Sequence, residues 1–124
     1  MVDFSNLTAS RLSLPTIRVG ADWRIRMFLK TSQNIPIDLT GCSAIMQIRL
    51  NINAVTVLHE LSTVNGKIVI SPQSGIIELQ LLDDETRLIN WGRAEYAIMV
   101  NDSLGFDWVL CEGRIKAKRV ITHV

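Results

Sequence analysis

The sequence contains no long apolar run, no excess of charge of either sign, and few of the residues that bind metals or carry out catalysis. No apolar stretch approaches the roughly 18 residues that a membrane-crossing helix requires. The opening MVDFSNLTAS lacks the basic and apolar regions of a signal peptide, so maturation in the cytosol and no membrane partner are expected. Thirteen basic against twelve acidic side chains leave a net charge of +1, without the cationic excess by which proteins displace counterions from nucleic acid. The one basic cluster is Arg114, Lys116, Lys118 and Arg119. Its first three members alternate and read as the solvated face of a strand, with an anionic partner as the other reading.

Cysteine and histidine are equally sparse. Cys42 and Cys111 allow a single bridge, but neither has a metal-type or CxxC neighbour, and a cytosolic origin favours buried free thiols. His59 and His123 have no His, Cys or carboxylate at ligand spacing. No nucleophile elbow and no phosphate-cradling glycine loop occur. Asp83, Asp84 and Glu85 lack the alternate-position ligands and glycine of a calcium loop and read as the acids of a helix start. The chain is therefore read as a non-enzyme with no cofactor and no metal.

What the sequence does contain is period-two alternation, in segments of five to nine residues between turn signals. Trp23, Ile25, Met27 and Leu29 alternate with Arg24, Arg26 and Lys30. Ala44, Met46, Ile48 and Leu50 are expected inward, with Gln47 and Arg49 outward. A weaker strand runs over 55–61, followed by Val64-Asn65-Gly66-Lys67 as a tight hairpin from which 67–70 pairs back. A strong strand follows at 76–82, then a short helical crossover near 83–90 in which Asp83 supplies the cap. Arg93 to Asn101 alternates again, and 101–105 is a hairpin loop. The return strand from Phe106 to Thr122 is too long to be straight, so a bulge or bend is expected at Gly113.

About eight strands in one domain, half-apolar throughout, describe an antiparallel β-sandwich, with a small closed barrel as the alternative. Residues 1–14 are set apart by their Ser, Thr and Asn content and read as a first strand or as an arm that orders on a neighbour; 15–124 is the sandwich. Trp23 and Tyr96 fall on apolar faces and read as core. Trp91 beside Gly92, and Trp108 near Asn101, Asp102 and Asp107, read as core corners, protein-contact residues or a sugar-binding surface.

Several segments taken in order carry a family resemblance: Gly20, Asp22 and Trp23; the run Pro36 to Gly41; Gln47 to Arg49; Gly75, Ile77 and Leu79; Trp91, Gly92, Ala94 and Tyr96 after Thr86; and Gly113, Ile115, Arg119 and Thr122. Over residues 17 to 122 the chain resembles small tailed-bacteriophage virion proteins and the N-terminal domain of upper baseplate proteins. The resemblance implies an all-β, immunoglobulin-like antiparallel sandwich of about 7–9 strands. It implies a structural role in the virion, assembled in the host cytoplasm, as a tail, baseplate or tail-fibre adaptor. Its partners would be other virion proteins or further copies of itself in a symmetric, multi-copy assembly. Alternatives are a head decoration or head–tail connection protein and a carbohydrate-binding host-recognition module. Larger baseplate proteins continue into further domains, a departure that bears on the baseplate role. The candidate contacts are Phe4, Leu7, Leu12 and Leu14 in the first segment, Ile35 and Leu104 in the loops 31–41 and 101–107, and Trp91 and Trp108.

Overall fold

Alternating side chains build two sheets whose apolar faces meet. The computed structural model describes residues 10–11 and 14–119. Among them are nine strands: β1 (Ser10–Arg11), β2 (Ile17–Val19), β3 (Trp23–Phe28), β4 (Ser43–Arg49), β5 (His59–Ser62), β6 (Ile68–Ser71), β7 (Ile76–Leu81), β8 (Arg93–Asn101) and β9 (Asp107–Arg119). The larger sheet runs β1-β9-β8-β4-β5, with β2 also paired to β9 beyond β1; the smaller runs β3-β7-β6. The β1 and β2 pairings are parallel to β9 and the rest are antiparallel. This is the strand order of an immunoglobulin-like sandwich. The two strands that share a disulfide in antibody domains correspond to β3 and β8, which contain no cysteine.

The core is a single cluster fed by both sheets. Ala44, Met46, Ile48, Leu61, Ile98, Val100 and Ile115 come from the larger sheet, and Trp23, Ile68, Ile77, Leu79 and Leu81 from the smaller. Each fully buried large aliphatic chain contributes about 1.5–3 kcal/mol of transfer free energy. Leu14 and Ile17 join the same cluster, so Leu14 belongs to the folded body. Ser10 and Arg11 pair with Cys111 and Glu112, in the first half of β9.

Four expectations are corrected. First, β5 and β6 do not form a hairpin: β5 pairs with β4 and β6 with β7, so the turn between them carries the chain from one sheet to the other. Asn65 makes that crossing. Its Oδ1 accepts from the Ser62 and Lys67 amides at 2.9 and 3.0 Å, and its Nδ2 donates to the Glu60 carbonyl at 2.9 Å. Asn-Gly supplied a turn, as its chemistry predicts, but strand pairing was decided by the core. Second, β4 ends at Arg49, and Leu50 is 54% exposed. Arg49 Nη1 donates to the carbonyls of Ala54 and Val55, drawing the chain away from the core, and the weak strand shrinks to His59–Ser62.

Third, the irregularity in β9 lies at Leu110, not at Gly113. Met99 pairs with Val109 and Ile98 with Cys111, which leaves Leu110 without an opposite residue. The bulge switches parity, so that Trp108 and Cys111 both lie opposite inward-facing residues of β8. Fourth, the crossover helix α1 (Asp83–Thr86) is not capped by Asp83. The Asp83 amide donates to Asp22 Oδ1 at 2.8 Å, from a residue 61 positions earlier.

Candidate functional site

Antiparallel pairing of β4 with β8 sets Ser43 opposite Asn101, which brings the β3–β4 connection and the β8–β9 hairpin to one end of the sandwich. They touch at Gly41 (φ +78°): a Cβ built there would sit 2.9 Å from Ser103 Cβ, so a larger residue would push the two loops apart.

Both loops are braced from within. In the hairpin, Asp102 is only 5% exposed. Its Oδ1 accepts from the Leu104 and Phe106 amides at 2.9 and 3.0 Å, and its Oδ2 from the Trp108 indole at 2.9 Å. These donors, the Trp108 indole foremost, hold the carboxyl below its ordinary range, against the opposing pull of burial. In the other loop, Thr31 Oγ1 accepts from the Gln33 and Ile35 amides, and Asn34 takes the left-handed conformation (φ 64°) that closes the turn. Asp38 Oδ1 accepts from the amide and hydroxyl of Thr40 at 3.0 and 2.6 Å, which lowers the Asp38 pKa.

The bracing turns apolar side chains into water. Ile35, Leu104 and Phe106 are 54%, 59% and 61% exposed. Apolar groups held in place by buried polar atoms form a pre-organised contact surface, because little conformational freedom remains to be lost on binding.

The sequence-nominated contacts thus separate. Ile35 and Leu104 lie on the two loops of this end, one on each. Trp108 follows the hairpin, half-buried, with its indole bonded to Asp102; it shapes the loop from inside. Leu14 is a core residue, 8% exposed, and is not on the outer surface. Phe4, Leu7 and Leu12 lie outside the described residues. Phe106 was missed because it reads as the start of a strand; the signal for it is Asp102, whose spacing to Leu104 and Phe106 fits a side chain capping its own loop.

Trp91 lies at the opposite end, immediately before β8. It is half-buried, with its indole N–H 3.4 Å from His59 Nε2 and the two rings 5.9 Å apart. Beside them Lys67 and Glu85 form an ion pair at 2.6 Å. Burial pushes the His59 pKa below its ordinary 6.5; Glu85 opposes this and Lys67 adds to it. A neutral His59 accepts the indole proton, which an imidazolium could not. The unfolded chain therefore binds a proton at higher pH than the folded one. This contribution to stability is fully present above about pH 6.5 and declines as pH falls from there toward the folded pKa. Urea unfolding of the wild type and His59→Gln between pH 7.5 and 5 is expected to show this: the wild type loses stability relative to the variant below about pH 6.5, and a pH-independent difference would refute it.

The remaining reactive groups do not converge. No three His, Cys, Asp or Glu residues among those described could hold a metal ion together. Both cysteines are free thiols; Cys111 is buried and Cys42 half-buried. Burial raises the Cys111 pKa, opposed by its hydrogen bond with Tyr96, and burial first, then Cys111, raises that of Tyr96. Burial also raises the Cys42 pKa, reinforced by Asp102 and Asp38. Neither thiol is poised as a nucleophile. Arg114, Lys116 and Lys118 are exposed in alternation along β9. No known family model and no curated protein matches the sequence.

Proposed function

We propose that the chain is a non-enzymatic docking module: a bacteriophage virion structural protein that acts as a tail, baseplate or tail-fibre adaptor and binds neighbouring virion proteins through the end bearing Ile35, Leu104 and Phe106. The observation that carries the docking part is the exposure of these three side chains on two touching, internally braced loops. The virion part rests on the ordered sequence segments from Gly20 to Thr122 described above. In this reading the sandwich is a rigid spacer. The loop end buries its apolar side chains on a neighbour, with the aromatic Phe106 as the strongest anchor.

Two measurements test it. Quantitative mass spectrometry of purified particles, with assignment of cryo-EM density, gives copy number and position. A handful to a few dozen copies at the tail are expected. Hundreds on the capsid would make the chain a decoration protein, and absence from the particle would overturn the virion reading. Independently, the triple variant Ile35→Ser, Leu104→Ser, Phe106→Ser is expected to fold with an almost unchanged melting temperature, since exposed tips add little to stability. Its incorporation should fall by about tenfold or more, corresponding to at least roughly 1.4 kcal/mol of lost contact. Unchanged incorporation would refute docking at this end.

A further inference from the structure

Among the described residues, one edge of the smaller sheet has no strand paired to it. Among the described residues β3 pairs only with β7, through all six of its residues. The Leu29 amide donates to the Gly75 carbonyl, one step beyond the last β3–β7 pair. Antiparallel pairs alternate between bonded and non-bonded. Trp23, Ile25 and Met27 therefore direct their amides and carbonyls toward β7, and Arg24, Arg26 and Phe28 direct theirs away from it. No hydrogen bond among the described residues takes up those outward groups.

The other free strands differ. The edge of β5 is occupied by Asn65, bonded to the Glu60 carbonyl and the Ser62 amide. β6 has four residues, with Val69 and Ser71 on its outer face and no charge to select a partner. β3 instead carries Arg24, Arg26 and, just past its end, Lys30, all exposed. The carboxylate facing this row is Glu78 of β7, which already pairs with Arg26 at 2.7 Å. Glu78 also shows how a neighbouring strand is recognised: a carboxylate directly opposite an arginine of β3 reaches it. Phe28, 57% exposed with Lys30 Nζ 5.9 Å from its ring centre, adds an apolar contact at the end of the row.

We propose that the free edge of β3 is a strand-addition site for an extended acidic segment of another protein chain. The added strand bonds to the backbone of Arg24, Arg26 and Phe28 and sets carboxylates at alternate positions against Arg24 and Arg26. The site runs along β3 and meets the loop end only at Phe28 and Lys30, where Lys30 bridges to Pro36; its test needs no virus particle.

The test uses the full chain, isotope-labelled, with two short capped peptides as probes: one alternating glutamate and valine, the other lysine and valine at the same length. Hydrogen exchange is read amide by amide. With saturating glutamate peptide, exchange at Arg24, Arg26 and Phe28 is expected to slow by about tenfold or more. Ile25 and Met27, already bonded to β7, should change little. The lysine peptide should have no such effect. Arg24→Glu, a substitution at an exposed site opposite Gln80, is expected to weaken binding of the glutamate peptide by about fivefold or more. No protection at the three alternate amides, equal protection by both peptides, or undiminished binding to Arg24→Glu would each overturn the proposal.

Discussion

Replacing Thr86 by valine is expected to lower stability by about 2–3 kcal/mol, although the two side chains have nearly the same shape. Thr86 is fully buried at the end of α1. Its Oγ1 donates to the Ala21 carbonyl at 2.8 Å and accepts from the Gly20 amide at 3.1 Å. One hydroxyl thus ties the crossover between the sheets to the turn that joins β2 to β3. Valine fills the same space but leaves a donor and an acceptor of that turn without a partner. Thr86→Ser keeps the hydroxyl, loses one methyl group, and should cost less than about 1.5 kcal/mol. For a domain of this size the valine variant should melt roughly 6–12 °C lower. Calorimetry of both variants decides the matter: if valine were no worse than serine, the hydroxyl would not be the tie.

Thr86 also shows where the sequence stops being legible. Its surroundings, Asp83 to Glu85 followed by Trp91-Gly92, announce a short helix, and the helix is there. Nothing in the local sequence announces that the helix is capped by Asp22 or bonded to Gly20 and Ala21, because those partners are more than sixty positions away. The same division holds throughout. Strands whose alternation is strong, β3, β4, β7 and β8, appear within a residue or two of where period two puts them, since burying one face fixes both element and orientation. The partners of those strands are set by how two sheets close over one core. That is why a good Asn-Gly turn signal led to a β5–β6 hairpin that does not exist. The bulge followed similar logic. Glycine is its usual local marker, but Leu110 bulges because Trp108 and Cys111 both have to meet inward-facing residues of β8.

The candidate docking end was half legible. Turn residues located both loops, and apolar residues within them nominated Ile35 and Leu104. That the loops touch depends on β4 pairing with β8, a long-range fact. Trp108 was nominated for its size and its acidic neighbours; the acid it meets uses its indole to build the loop, leaving exposure to Phe106 and Leu104.

Asn65→Ala is expected to have the second large effect, and it acts on two properties at once. The change removes the three side-chain hydrogen bonds to Glu60, Ser62 and Lys67; the exposed setting lets water replace part of them, so the loss of stability is about 1.5–2.5 kcal/mol. The Glu60 carbonyl and Ser62 amide are the outward-facing groups of β5: the Thr63 amide donates to Ala44 of β4, so with alternation Thr63 and Leu61 bond inward and Ser62 and Glu60 face out. One carboxamide, with its acceptor and its donor side by side, therefore stands where a further strand would pair. Without it the larger sheet gains an open edge, and open edges recruit strands from other chains. Sedimentation velocity over a range of concentrations should show association in Asn65→Ala beyond that of the wild type, alongside a lower urea midpoint. Asn65→Asp restores the acceptor but places a charged oxygen near the Glu60 carbonyl, so it should recover little of the stability. Destabilisation without added association would mean that Asn65 serves the turn alone. Association as well would mean that the sequence closes this edge while, among the described residues, the arginine-lined edge of β3 stays unpaired, the asymmetry expected of a domain that selects which strand it accepts.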